Sequence, residues 1–351
     1  MEKVDIIGGG IAGLALAGIL DPGRFDVTIH EQRPELPTVG TTLAMWPAAQ
    51  QALSELGILG AVRSRGAMIK AGALRRPSGE PLLSMEGKGL LGVSRPELLR
   101  LLDMAVPRSV RREMGRVDHL PGAAGLTVGA DGVNSIVRRN IRGRQSSAKP
   151  TPFLAVRGVI PGTPLPQDIG EYWGRGQIFG LAPAGGGSNW YASFRSDLGS
   201  ERIEVAEALE VTRSRYANHS RAVQDVLATA TPENSLAQRI WISPPLARYA
   251  QGNAVLVGDA AHAMTPNLGR GACEALIDAV TLGKLLNELP KEKALAAYGR
   301  KRVMRTQLLR IASSLMGSVA LAQGAQPLRD VLLKQVGKRV SGARERAETS
   351  K

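Results

Sequence analysis

The sequence predicts an α/β fold in which a parallel-sheet domain is interrupted by an inserted α+β domain and completed by C-terminal helices. Three observations predict it. The chain opens on a short apolar strand that runs into Gly8-Gly9-Gly10-Ile11-Ala12-Gly13 and a small-residue helix, and a second strand at residues 25–30 then ends in Glu31. Two later apolar runs, residues 126–129 and 254–257, each lead into a turn carrying an aspartate, Asp131 and Asp259. Acids at the carboxyl ends of parallel strands lie where open α/β sheets bind ligands.

Each part of the opening has a physical job. Gly8 lets the chain turn tightly out of the strand. Gly10 has no Cβ, so a pyrophosphate can approach the backbone, and Gly13 lets the helix pack closely on the strand. The helix start at Ile11 and Ala12 offers free N–H groups and the positive end of the dipole to an anion. Glu31 stands where an acceptor for a ribose hydroxyl is expected. A dinucleotide is therefore the expected ligand.

Residues 32–40 form a proline-punctuated loop, and a helix is expected from 47 to 56, with Pro47 in its first turn and Gly57 at its end. Residues 67–74 and 81–85 read as paired strands around Arg76-Pro77-Ser78-Gly79. Ser94 caps the next helix, with Pro96 in its first turn and Glu97 three positions on. Arg95 sits at that helix start, where the dipole disfavours a cation, so an anionic or carbonyl-rich ligand is its expected partner. After the Gly129-Ala130-Asp131-Gly132 turn the texture changes. Residues 150–247 read as strands (153–159, 177–181, 190–195) interrupted by one long helix at 201–229, and hold Trp173, Trp190 and Trp241. Beyond residue 289 the chain is helical and basic, with Val303, Leu308, Ile311 and Leu315 spaced as a packing face and a frayed end. The expected domains are 1–66, 91–148 and 247–312 for the nucleotide, 67–90 and 149–246 for the substrate, and 313–351 as a helical tail.

Composition narrows the classes further. With 351 residues, 43% hydrophobic and 22% charged, the chain is an ordinary globular protein. It has no apolar run long enough to span a membrane and enters a strand at once, so no membrane partner is expected and the location expected is cytoplasmic. The single cysteine, Cys273, excludes an intramolecular disulfide, and the four histidines have no ligand-like spacing, so no metal is expected. The net charge of +14 raises nucleic acid as a partner, but aromatic residues are only 4% and do not interleave with the basic patches. Nucleic acid is not expected; the charge reads as an arginine-rich surface that helps solubility and attracts anionic cofactors.

Taken together and in order, these motifs resemble those of the flavin-dependent group A monooxygenases of the p-hydroxybenzoate hydroxylase type. The matching residues are Gly8 to Gly13 with Glu31, Arg95 in Ser94-Arg95-Pro96-Glu97-Leu98, Gly129-Ala130-Asp131-Gly132, Trp173-Gly174-Arg175-Gly176, and Gly258-Asp259-Ala260-Ala261-His262 through Pro266 and Gly269-Arg270-Gly271. The resemblance covers residues 1 to 300. It implies a FAD-binding Rossmann-like domain of the glutathione reductase type with an inserted substrate domain.

It implies further that Glu31 holds the adenosine ribose, with Arg33 on the adenine side. Arg95 would lie beside the flavin or pyrophosphate, and Asp131 near the pyrophosphate and the NAD(P)H groove. Asp259, in the turn begun by the cofactor-binding Gly258, would bind the ribityl chain or the diphosphate side, and Pro266, Leu268, Gly269, Arg270 and Gly271 would cradle the pyrimidine end of the flavin. His262 is the one weak candidate for a catalytic base. Two departures stand out: residues 120–125 replace the family's hairpin before Gly129, and Arg270 stands where Gln or another residue is common.

The activity implied is that of an NADPH- or NADH-consuming oxygenase. It would pass one oxygen from O2, through a flavin C4a-hydroperoxide, to a phenol- or indole-like small molecule, with epoxidation and Baeyer–Villiger insertion left open. Trp173, Phe179, Trp190 and Tyr191 are the candidate walls of the substrate pocket. The alternatives are a reductase or halogenase on the same fold, or a flavin-bound binding protein without turnover. The oligomeric state is left open.

Overall fold

The computed structural model describes residues 1–37, 40–122, 125–199 and 203–336. β1 (Glu2–Ile7), α1 (Ile11–Ile19) and β2 (Phe25–Glu31) form the expected βαβ unit, with β1 and β2 in parallel register from Glu2–Phe25 to Ile7–His30. The helix is almost wholly buried because its Ala, Gly and Leu side chains pack on all sides.

The chain then leaves this sheet. β3 (Thr42–Met45), α2 (Pro47–Glu55) and α3 (Leu59–Arg65) lead to the long hairpin of β4 (Ala67–Arg75) and β5 (Pro81–Ser94). α4 (Arg95–Ala105) returns to the first sheet, its start capped by Ser94 Oγ, which accepts from Glu97 N at 3.3 Å. β6 (Arg111–Met114) pairs with β2, β7 (Leu126–Gly129) pairs with the other side of β1, and α5 (Ile136–Arg142) follows. The short connection expected between β6 and β7 runs from residue 115 to 125, of which 123–124 lie outside the described residues.

The middle block supplies β8 (Lys149–Pro161), β9 (Gly170–Trp173), β10 (Gln177–Ala184), β11 (Gly187–Arg195), α6 (Val205–Arg215), α7 (Arg221–Thr229) and β12 (Ser235–Ile242). β13 (Ala250–Gln251), β14 (Ala254–Leu256) and α8 (Asp259–His262) rejoin the first sheet, and α9 (Gly271–Glu288) and α10 (Lys291–Ala320) close the chain, with a further helix at residues 326–336. The first sheet has the order β13-β14-β7-β1-β2-β6 and the second β12-β8-β11-β10-β9-β4-β5-β3. β14, β7, β1, β2 and β6 are mutually parallel, and their carboxyl ends gather Gly8, Asp131 and Gly258 at one edge. This is the mixed α/β fold with C-terminal helices that the sequence predicts.

Three sequence expectations change. The single helix read at 201–229 is two helices, with residues 201–202 outside the described set. The chain breaks at Tyr216 because its ring turns inward and its hydroxyl donates to the carbonyls of Ile178 at 2.7 Å and Ser193 at 3.2 Å. Second, α10 is continuous through residue 312, so a helical tail does not start afresh at 313; the expected frayed end lies outside the described residues. Third, of the apolar spacing on α10 only Val303 packs within the chain, against the core of the first sheet. Leu308, Ile311 and Leu315 are 60%, 49% and 63% exposed, while Tyr298, Arg302, Thr306, Ser313 and Gly317 turn inward. Small and polar side chains suit that inner face because α10 lies against α9 and against a loop backbone.

Candidate active site

The opening glycines divide their roles as elementary sterics predicts. Gly8 has φ +106° and lies so near Ala130 O that a Cβ would come within 2.5 Å of it. A Cβ on Gly13 would sit 1.9 Å from Gly8 O, so the helix and the turn touch there. A Cβ on Gly10 would meet no protein atom within 4 Å. Gly10 therefore faces open space at the start of α1, whose first turn has no side-chain cap.

Glu31 is held in place by the backbone. Its Oε2 accepts from Gly9 N at 2.8 Å, and its Oε1 accepts from Arg33 N at 2.8 Å. A cavity of about 160 Å³ opens beside it, lined by Gly9, Glu31, Arg33, Pro34, Leu36 and Met114. Arg33 thus stands at the mouth of this cavity, its guanidinium folded back on Glu31 at 3.4 Å.

Further along the sheet edge, Asp131 Oδ2 accepts from Ile136 N at 2.7 Å and Val137 N at 3.3 Å, capping α5. Its other oxygen is buried with no hydrogen-bond partner, and burial pushes the carboxyl above the ordinary aspartate value. Arg95 is set by α4, with its N–H given to Thr41 O at 2.9 Å. Burial lowers its guanidinium from the usual value, the Asp259 carboxylate opposes that, and Arg33 adds to it. Asp259 is exposed at the start of α8.

The loop from Pro266 to Leu268 makes one 3-10 turn, and Gly269 follows in the left-handed region at φ +59°. Gly271 opens α9, with Arg270 before it. α10 braces the loop: Ser313 Oγ donates to Thr265 O at 2.6 Å, and Gly317 lies against the Asn267 side chain. Arg270 lies over the ring of Trp46, its guanidinium carbon 5.1 Å from the centroid, and donates to Glu274 Oε1 at 2.8 Å. Trp46 Nε1 and Arg270 Nε are both buried without a hydrogen-bond partner.

Behind this loop lies a buried chain of charges. Glu274 Oε2 accepts from Arg302 at 2.6 Å, Arg302 Nε donates to Asp278 Oδ1 at 2.5 Å, and Asp278 Oδ2 meets His262 Nε2 at 2.6 Å and accepts from Gly258 N at 2.9 Å. All four side chains are at most 3% exposed. His262 is therefore walled in beside Asp278, in contact with the frame of the loop. Sequence reading missed Glu274, Asp278 and Arg302. Two acids four apart on the apolar helix α9 were the available signal, since one helix face must bury both.

The second sheet presents two faces because side chains alternate along a strand. Phe179 and Trp190 are fully buried, stacked at 5.8 Å with an interplanar angle of 11°, and packed against Tyr216 beneath α6 and α7. They belong to the core on the outer face, so the expectation that they wall the substrate pocket is corrected. Trp173 and Tyr191 lie on the opposite face, against Ala320 and Leu321. Trp173 Nε1 donates to Glu171 Oε2 at 2.7 Å, Tyr191 OH donates to Glu171 Oε1, and burial pushes Glu171 upward from the usual carboxylate value. Arg157 shares this inner face, giving one hydrogen bond to Gln238 Oε1 at 2.7 Å while its Nε has no partner. Burial, with Arg95 nearby, lowers it to about 10. Asn189 Oδ1 accepts from Thr42 N at 2.8 Å and ties the inner face to β3. Among the described residues no group of three or more His, Cys, Asp or Glu is arranged to hold a metal ion.

The matching family model is the FAD binding domain, over residues 116–310. The chain is 31% identical over 329 residues to aurachin C monooxygenase/isomerase of Stigmatella aurantiaca, covering 86% of this chain and 85% of that protein. The chain belongs to the group A flavin-dependent monooxygenases. It is also 28% identical over 338 residues to the FAD-dependent urate hydroxylase of Klebsiella pneumoniae, covering 87% of each. The structure of Klebsiella pneumoniae HpxO complexed with FAD and uric acid superposes with a TM-score of 0.83 at 23% identity, over 97% of this chain and 95% of that one. The protein is thus a FAD-dependent monooxygenase, and the residues at the sheet edge fit that cofactor. Gly10 leaves open space at the start of α1, and buried polar atoms of Asp131, Trp46 and Arg270 lack hydrogen-bond partners among the described residues.

Proposed function

We propose that this monooxygenase takes electrons from NADPH or NADH and inserts one oxygen atom from O2 into a small aromatic or heteroaromatic molecule, phenol- or indole-like. The observation that carries the substrate class is the inner face of the second sheet. It sets the half-buried ring of Tyr191 beside a half-buried cation, Arg157, that has no carboxylate partner among the described residues, while Trp173, Ile178 and Leu74 are packed beneath Ala320 and Leu321. An aromatic ring bearing an oxygen or an anionic group satisfies both. Relatives named for aurachin C and urate act on ring compounds of that general kind, which supports the reading.

FAD, when bound, supplies the oxygen activation that no side chain can provide. The residues of the chain bind, orient and shield. The amides at the start of α1 and the guanidinium of Arg95 hold the diphosphate, and Glu31 accepts from the adenosine ribose, with Arg33 at its edge. Asp259 accepts from hydroxyls of the ribityl side. The loop from Pro266 to Gly271 offers its backbone to the pyrimidine end, with Arg270 held by Glu274 and Trp46. His262 acts as a positioning residue for Gly258 through Asp278. Residues 1–66, 91–148 and 247–312 form the cofactor-binding part, and 67–90 with 149–246 the substrate part.

The test is NADPH and NADH oxidation by the FAD-loaded protein across a panel of phenols, indoles and quinolones, with mass analysis of products. A substrate that stimulates oxidation and gains one oxygen supports the proposal. Cofactor oxidation without an oxygenated product from any ring compound overturns it.

A further inference from the structure

α10 turns a continuous apolar stripe to solvent. Met304, Leu308, Ile311, Leu315 and Val319 are 74%, 60%, 49%, 63% and 49% exposed. Their spacing of three and four residues aligns them along one side of the helix, opposite Arg302, Thr306 and Ser313, which are buried. The helix at 326–336 adds Leu328, Val331 and Leu332, at 62%, 49% and 53% exposed. Soluble monomers seldom show an apolar patch of this length unless something covers it.

The surroundings of the stripe state the chemistry of its cover. Arg300, Lys301 and Arg305 are exposed beside its first half, and from Lys293 to Arg329 the sequence contains no acidic residue. Lys301 and Arg305 also line a groove of about 490 Å³ between α2, α9 and α10, whose floor includes Ala48, Ala52 and Ile277. The acids of that groove are Glu55 and Glu288; Lys284 holds the first at 2.9 Å and lies in the field of the second. Apolar side chains in a line, flanked by cations, are the pattern of a helix that lies in a membrane interface.

We infer that α10 docks this monooxygenase on an anionic lipid bilayer, with the stripe sunk into the interface and Lys301 and Arg305 on headgroup phosphates. Charge decides between the lipid surface and a second copy of the chain. A second copy brings the same cations, on a molecule of net charge +14, against the first. An anionic bilayer neutralises them while covering the stripe. No helix among the described residues is long and apolar enough to cross a membrane, so the attachment is to the surface.

The test is flotation of the FAD-loaded protein with phosphatidylcholine vesicles, with and without phosphatidylglycerol, alongside sedimentation velocity without lipid. Flotation is expected only with phosphatidylglycerol, weakening as salt rises. The double variant Leu308→Ser, Leu315→Ser is expected to bind at least about tenfold more weakly. Lys301→Ala and Arg305→Ala are each expected to cost about fivefold. All four substitutions are at exposed positions, and retained FAD absorbance reports that the variants fold. Absence of flotation with either vesicle overturns the inference, as does equal binding by the double serine variant. A dimer that the double variant dissociates, with no lipid binding by the parent, assigns the stripe to a second copy instead.

Discussion

His262 Nε2 lies 2.6 Å from Asp278 Oδ2, and both side chains are fully buried. The same carboxylate group takes Arg302 Nε at 2.5 Å and the Gly258 N–H at 2.9 Å, so one acid on α9 ties α8, α10 and the turn after β14 together. Removing it leaves the buried Arg302 guanidinium with Glu274 alone and takes the partner of His262 Nε2 away. Asp278→Ala is expected to lose about 3–5 kcal/mol of unfolding free energy in urea titration. Arg302→Met, which leaves Glu274 with Arg270 alone and Asp278 with His262 and the Gly258 N–H, is expected to lose a similar amount, and a cost under about 1 kcal/mol for both would mean that this network does not hold the loop.

The network also sets a pH window. For His262, burial pushes the imidazole pKa down, but the charge and hydrogen bond of Asp278 overcome this and the net direction is up. A raised folded-state value gives stability that is full below the unfolded value near 6.5 and is lost as pH rises through the folded value. Asp278 runs the other way: burial raises it, His262 and Arg302 lower it, and the net direction is down. Its contribution is present above the unfolded aspartate value near 3.9 and is lost as pH falls through the folded one. Stability is therefore expected to peak between about pH 4 and 6.5 from these two groups. His262→Gln should flatten the alkaline side of the melting-temperature profile and weaken the acid side as well, because His262 is one of the two groups that hold Asp278 down.

Gly10 and Gly13 are expected to part company on mutation. Gly13→Ala drives a Cβ to 1.9 Å from the Gly8 carbonyl and should destabilise the fold itself, read as a drop in the melting temperature of the apoprotein. Gly10→Ala meets no protein atom and has an unstrained φ of −84°, so the apoprotein should melt unchanged. Its loss should appear in FAD affinity, measured by flavin fluorescence quenching on titration. An unchanged affinity would remove Gly10 from the diphosphate site.

Glu31→Ala leaves the Gly9 amide without its acceptor and removes the proposed ribose contact. An FAD affinity lowered by about 10- to 100-fold is expected, from the loss of about 1–3 kcal/mol of charged hydrogen bonding. Equilibrium dialysis of the apoprotein measures it, and Glu31→Gln should recover part of the loss because it still accepts a hydrogen bond.

Cys273 is fully buried, donates to Ala44 O at 3.1 Å, and is pushed up to about 11 by burial. The native protein should resist iodoacetamide near pH 8 and react only after unfolding, as intact-mass analysis will show. Fast native alkylation would mean that β3 opens away from α9.

The sequence by itself determined the βαβ opening, the two glycine-and-aspartate turns at the carboxyl ends of later parallel strands, and with them the flavin fold. Such features are local. A tight turn needs glycine, a phosphate needs bare amides, and each requirement is written within a few residues. What only the tertiary structure decided is the company each side chain keeps. Arg138 and Arg302 stand in basic runs of the sequence, yet they are 1% and 3% exposed, with Arg138 spent on backbone carbonyls of Ser146, Ala260 and Ala261. Phe179 and Tyr191 both read as pocket walls, but the alternation of neighbouring strands sends them to opposite faces of one sheet. Likewise, the apolar line on α10 is evident in sequence, while its exposure is not. Periodicity gives a helix two faces, and only the packing of α9 and the flavin loop against one of them leaves the other to the solvent.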